Sequence, residues 1–179
     1  MKPDFIILSE SERLKPFRKY IGKELSEISC WRLFCDGEPD TECDCNLDLL
    51  FRDESVLSMS ITEDGQSIEA DPRAFNKPVW AVSDDVNRYV WHRLMLTKNQ
   101  PWAKLVGQQL AQIDSIILQW TERRQEQEIR HEALAGCRCV FENNNYLVFT
   151  NRGDQAEWFF NQMPYESELA NGEMCLDSL

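Results

Sequence analysis

One phrase occurs twice in this chain. Pro16-Phe17-Arg18-Lys19-Tyr20-Ile21-Gly22-Lys23-Glu24-Leu25-Ser26-Glu27-Ile28 returns 85 positions later as Pro101-Trp102-Ala103-Lys104-Leu105-Val106-Gly107-Gln108-Gln109-Leu110-Ala111-Gln112-Ile113. Pro16/Pro101, Gly22/Gly107, Leu25/Leu110 and Ile28/Ile113 recur in register, and Phe17/Trp102, Tyr20/Leu105 and Ile21/Val106 exchange one apolar residue for another. A repeat of this kind restricts architecture before any element is assigned, because both copies must fold alike. It names no reaction.

Each position in the phrase has a physical use. Proline suits the first turn of a helix, where its missing N–H is not needed. Phe17, Tyr20 and Ile21, like Trp102, Leu105 and Val106, stand at i, i+3 and i+4 and form one apolar helical face. Gly22 and Gly107 suit a left-handed position that ends the helix. The apolar stretches Ile28–Cys35 and Ile113–Trp120 that follow read as strands. The correspondence continues at an offset of 90 residues, with Phe51–Met59 against Phe141–Phe149, each a strand, a polar turn and a second strand. The change of offset places extra length in the second copy between its first and second strands. The expected fold is α+β, in two similar halves, each a short helix plus antiparallel strands, with the two sheets joined or packed together. Residues 1–78 form the first repeat, 79–163 the second and 164–179 an acidic tail, the repeats making one compact unit.

Between these landmarks the chain reads in order. Phe5–Leu8 is a first strand. Asp36 to Asp44, rich in carboxylates and broken by Gly37 and Pro39, reads as a loop. Leu47–Phe51, Val56–Ile61 and Ser67–Ala70 form a meander. Asp71–Pro78 connects the copies, and Tyr89–Leu96 opens the second as its first strand. Thr121–Glu132 is almost wholly polar and reads either as a solvated helix capped by Thr121 and closed by Gly136 or as an irregular loop. Cys137–Glu142 and Tyr146–Thr150 form a hairpin across three asparagines. Glu157–Phe160 supplies a last strand or short helix, and the residues after Pro164 a loosely held tail.

Charge limits the partners. Nineteen basic residues against 31 acidic ones give a net charge of −12. Such a field opposes nucleic acid, which is bound by neutralising phosphates, and anionic membranes. It steers a basic protein toward the chain. The apolar run near the N-terminus is too short for a signal peptide or a membrane span. The expected location is therefore the cytoplasm, with the seven cysteines as reduced thiols.

Chemistry-bearing clusters are few. Cys43-x-Cys45 and Cys137-x-Cys139 place two thiols on one strand face, but structural zinc takes pairs two to four residues apart around a tight knuckle. The four cysteines are thus metal candidates of low rank, and no cofactor is expected. His92 and His131, the only histidines, lack a nucleophile signature nearby. The phosphate-cradling Gly-rich loop, the zinc-binding helix pair and the nucleophile elbow are all missing, so a non-enzyme is the expectation. The acidic segment lacks the helix–loop–helix frame of a calcium site. It reads either as a solvated loop or as a docking surface in which Asp36, Glu38, Asp40, Glu42 and Asp44 set association rate and partner choice. Trp31, Trp80 and Trp158 are its candidate aromatic anchors.

With its acidic character, its tolerance of cysteine, and the helix–Gly–strand–hairpin course of Pro16–Ile28 and Leu47–Ile61, the chain resembles the small immunity-type proteins with which bacteria neutralise polymorphic toxins. The resemblance is one of size, charge and style and rests on no diagnostic motif. It implies a stoichiometric inhibitor of a basic toxin domain, without catalysis of its own. The alternatives are a metal-binding or redox regulatory protein using the Cys-x-Cys pairs, and a small-ligand enzyme without a familiar motif.

Overall fold

Leu47, Leu49 and Phe51 alternate with Asn46, Asp48 and Leu50, and Leu57 and Met59 alternate with Ser58 and Ser60. This period of two sends one set to each face of a strand. It recurs through the chain and produces two antiparallel sheets. The computed structural model describes residues 10–44, 46–63, 65, 67–78, 88–124, 127–151, 155–164 and 173–178. The first sheet contains β1 (Leu25–Cys35), β2 (Glu38–Asp44), β3 (Asn46–Phe51), β4 (Val56–Ile61), β5 (Ile68–Asp71) and β6 (Tyr89–Met95). The second contains β7 (Leu110–Arg124), β8 (Gln127–Phe141), β9 (Tyr146–Asn151), β10 (Ala156–Phe160) and β11 (Glu173–Ser178).

The two sheets follow one plan. Strands run β5-β4-β3-β1-β6 in the first and β10-β9-β8-β7-β11 in the second, and β2 continues the line of β3 along β1. The registers agree as well: Leu25 faces Phe51 as Leu110 faces Phe141, and each pairing is followed at once by a bulge. The β7–β8 hairpin is the longer of the two, which is where the change in repeat offset placed the extra residues.

The repeated phrase itself joins the halves. Gly22 N–H donates to Leu110 O at 2.7 Å, and Gly107 N–H donates to Leu25 O at 2.8 Å. Leu25 N–H donates to Gln108 O and Leu110 N–H to Lys23 O, both at 2.9 Å, around a bridge between Glu24 and Gln109. Moving the first-half residue of each bond forward by 85 positions and the second-half residue back by 85 yields the other bond, the reciprocity a local two-fold axis produces. Gly22 and Gly107 hold φ of +85° and +76°. Each is the third residue of a turn closed by Lys23 N–H to Tyr20 O or Gln108 N–H to Leu105 O. A type II turn requires positive φ there, and each glycine stands two residues past the end of a 3-10 segment, so the left-handed position expected at a helical end is present and is made by a type II turn.

The helices depart from expectation. The described helical segments, Glu10–Tyr20, Leu96–Lys98 and Trp102–Leu105, are all 3-10. The architecture is sheet-rich, and an α-helix over each half is not present among the described residues. Leu96–Lys98 and Trp102–Leu105, of three and four residues, are too short to repay an α-helical nucleus. Pro16 lies inside the first segment, while Pro101 stands immediately before Trp102–Leu105.

Four further expectations change. Glu38–Asp44 is a strand paired with β1, and only Asp36 and Gly37 form the turn. Tyr89–Met95 does not open a second sheet; it pairs with β1 in the first, as β11 pairs with β7 in the second. Thr121–Arg124 and Gln127–Glu132 are strand, with Thr121 opposite Arg130 and Arg123 opposite Glu128, because the hairpin satisfies their backbone locally. Glu173–Ser178, placed in the tail by composition, is hydrogen-bonded along β7. The expected strand Phe5–Leu8 lies outside the described residues.

A single hydrophobic cluster spans both halves. Leu14, Phe17, Tyr20, Leu25, Ile28 and Phe51 belong to it together with Leu105, Leu110, Ile113, Leu134, Phe141 and Phe149. Each such side chain contributes roughly 1.5–3 kcal/mol on burial. Tyr20 stacks on Phe51 at 5.3 Å and on Phe17 at 6.1 Å, and its hydroxyl donates to Val56 O at 2.5 Å. Burial raises the Tyr20 pKa above its usual value, with Asp71 and Asp53 adding to the effect.

Candidate functional site

The β1–β2 hairpin turns at Asp36 and Gly37, whose φ values are +52° and +89°. Two successive positive φ values are the mark of a two-residue type I′ hairpin. The turn is tied to the strand beside it, since Asp36 N–H donates to Arg88 O at 2.9 Å and Arg88 N–H donates to Asp36 Oδ1 at 3.0 Å. The Asp36 carboxylate therefore serves the hairpin first. Glu38 is exposed and Asp40 half-buried. Glu42 and Asp44 continue β2, but their side chains lie outside the described ones. The register between Arg32/Asp44 and Phe34/Pro39 is broken by a bulge, and β1 is the only partner of β2 among the described strands. The structure thus sets the five acidic residues along one hairpin, Asp36 in its turn and the other four on β2.

The cysteines have another role. Cys137 and Cys139 are buried, with Sγ atoms 3.8 Å apart, and belong to the core cluster. Contact with the Cys139 thiol, together with burial and the nearby Asp114, pushes the Cys137 thiol well above its usual pKa. A thiol held protonated is a poor nucleophile and a poor metal ligand. The side chains of Cys43 and Cys45 lie outside the described ones. No three His, Cys, Asp or Glu side chains converge in a way that holds a metal ion among the described residues.

Both histidines make aromatic contacts. His92 meets the edge of Phe34 at 4.8 Å, and His131 stacks on Trp120 at 5.1 Å. A shallow recess of about 460 Å³ beside the hairpin is lined by Phe34, Asp36, Arg88 and His92. Of the expected anchors, Trp31 donates its indole N–H to Phe75 O at 3.2 Å and Trp158 lies under the Arg32 guanidinium at 5.7 Å. Trp80 falls outside the described residues.

A polar layer on the outer face of the first sheet escaped the sequence reading. Asn46, Asp48, Ser58 and Ser60 are buried there, opposite the core-facing leucines. Asp48 Oδ1 accepts from Asn46 Nδ2 at 3.0 Å, Ser58 Oγ at 2.6 Å and Phe75 N–H at 3.3 Å. Its Oδ2 has no hydrogen-bond partner among the described residues. Residues 73–78 wall a recess of about 590 Å³ over Ser58, Ser60, Glu69 and Asp71. The available signal was Asp48 itself, an acid set inside the apolar run Leu47–Phe51.

At the corresponding place in the second half, Asp114 is fully buried and bonded to Arg138 by Nε at 2.7 Å and Nη2 at 2.6 Å. Gln112 Nε2 donates to the other carboxylate oxygen. By register Arg138 stands where the first half has Asp48, and Asp114 where it has Ser29. The two outer faces have diverged in charge over a shared backbone.

No helix among the described residues is long and apolar enough to cross a membrane. No family model, curated protein or solved structure matches the chain.

Proposed function

We propose that the chain is a non-catalytic, immunity-type binding module of the cytosol that inhibits a basic toxin domain by covering it. The observation that carries this reading is the placement of Asp36, Glu38, Asp40, Glu42 and Asp44 along one anchored hairpin, in a molecule whose net charge is −12. A hairpin held by its turn and by β6 presents charge without first having to be ordered, which lowers the entropic cost of docking. Carboxylates at an interface rim steer encounter and select the partner. The buried Cys137 and Cys139 thiols favour this reading over a redox protein that uses them.

The test is calorimetric titration with the basic toxin domain encoded beside its gene. The reading predicts a one-to-one complex that abolishes toxin activity. It also predicts weaker binding when Glu38, Asp40, Glu42 and Asp44 are changed to Ala, with Asp36 kept because it holds Arg88. A neighbouring gene that encodes no such domain, or a domain that does not bind, overturns it.

A further inference from the structure

The recess over β4 and β5 has no part in the hairpin reading, yet it has the features of a built site. Its floor is one row of the outer face: Ser58 pairs with Asp48 on one side and Asp71 on the other, and Ser60 pairs with Glu69. Arg73 and Phe75 stand in its wall. The chain supplies its own example of what this floor accepts. Arg73 seats its guanidinium on Asp71, with Nε to Oδ1 and Nη2 to Oδ2 both at 2.9 Å. This pairing holds the Asp71 carboxyl below its usual pKa.

Glu69 lies two residues along the same strand and so on the same face. Among the described residues its carboxylate accepts a single long bond, 3.2 Å from Ser60 Oγ. Directly behind Ser58 sits Asp48, 2% exposed, bonded through one oxygen to neutral donors only and without a partner at the other among the described residues. Asp48 makes no ion pair among the described residues, so negative charge on it adds to that of Glu69 and Asp71 at the recess, offset in part by Arg93, whose guanidinium donates to Ser29 Oγ directly across from Asp48. Lys77 on the rim offsets part of this charge.

We propose that this recess binds a second guanidinium group, with Glu69 as its carboxylate seat, Ser58 and Ser60 as adjacent hydroxyl acceptors and Phe75 as its apolar wall. A planar fork suits this arrangement better than an ammonium, because two N–H groups can meet one carboxylate while the flat face lies on an aromatic ring. The same chemistry is offered by an arginine side chain of a protein and by a free guanidino compound.

The test follows backbone amide shifts of the full chain during separate titrations with N-acetyl-arginine amide and with agmatine. The proposal predicts saturable shifts at Ser58, Ser60, Glu69 and Phe75 with at least one probe, and the tighter probe identifies the source. Glu69→Gln should weaken binding about tenfold, as loss of one charge-assisted fork does. Asp48→Asn should weaken it without removing a floor residue. Glu54→Gln, which removes an equal charge outside the recess, should leave it unchanged. Shifts that scatter over the acidic surface, no shifts with either probe, or an affinity indifferent to Glu69→Gln would each overturn the proposal. None of these results bears on the hairpin, so the two readings fail separately.

Discussion

Two residues at equivalent turns show how individual side chains record the repeat. Glu54 and Asn144 hold φ of +66° and +61° in loops closed alike, Phe51 N–H to Ser55 O and Phe141 N–H to Asn145 O, both at 2.9 Å. Asparagine enters the left-handed region with local hydrogen bonding, whereas glutamate bears the steric cost of its Cβ. Replacing Glu54 with Asn, the residue the second half already uses, should stabilise the fold by about 1 kcal/mol. Urea denaturation of the single variant checks this. In the same loop Asp53 accepts from Lys23 Nζ at 2.7 Å and from Ser55. The Lys23 bond, with help from Ser55, lowers the Asp53 pKa from 3.8 to about 2. This clip helps the folded state while Asp53 is ionised, so its contribution is present above pH 3.8 and is lost as pH falls through about 2. An NMR titration of the Asp53 carboxyl carbon should show that low midpoint, and Lys23→Met should return it toward 3.8. The need for Gly22 and Gly107 was legible in the sequence because positive φ leaves so few residue choices. That the helical segment before each glycine is 3-10 and closes through a type II turn was not, since the end of an α-helix asks for the same residue.

At the scale of elements, strands whose faces differ in polarity were readable and those defined by their neighbours were not. The meander β3–β4–β5 and the hairpin β8–β9 follow the period of two, which depends on local sequence alone. β2 and the outer parts of β7 and β8 are polar or acidic, and β11 lies in an acidic stretch; their backbone is extended because β1, each other, or β7 completes the hydrogen bonds. Such pairing is non-local, and composition points the other way. The Asp114–Arg138 pair was hidden for the same reason: its members lie 24 positions apart and meet only through the β7–β8 register. Arg138→Leu leaves Asp114 buried without its cation and should cost about 3–5 kcal/mol. The double variant Asp114→Leu/Arg138→Leu should cost less than the single one, because both charges leave together. A thermal unfolding series on the three proteins measures the difference.

For the whole molecule, the repeat explains the architecture, and departures from the repeat mark what has become specific to each half. The reciprocal bonds around Glu24 and Gln109 and the single core tie two copies of one strand plan into one body. The first copy bears the short acidic hairpin and the recess over Asp48; the second bears a longer hairpin and the Asp114–Arg138 pair. Function was less legible than fold because charge and size constrain a class of partner and not its surface. The most direct test of the proposed role is stopped-flow association with the basic toxin domain at 20 and at 500 mM salt (about 20 Å and 4 Å of screening length). The account predicts that changing Glu38, Asp40, Glu42 and Asp44 to Ala slows association about tenfold at the lower salt and little at the higher. Equal association rates for wild type and variant at low salt would contradict it.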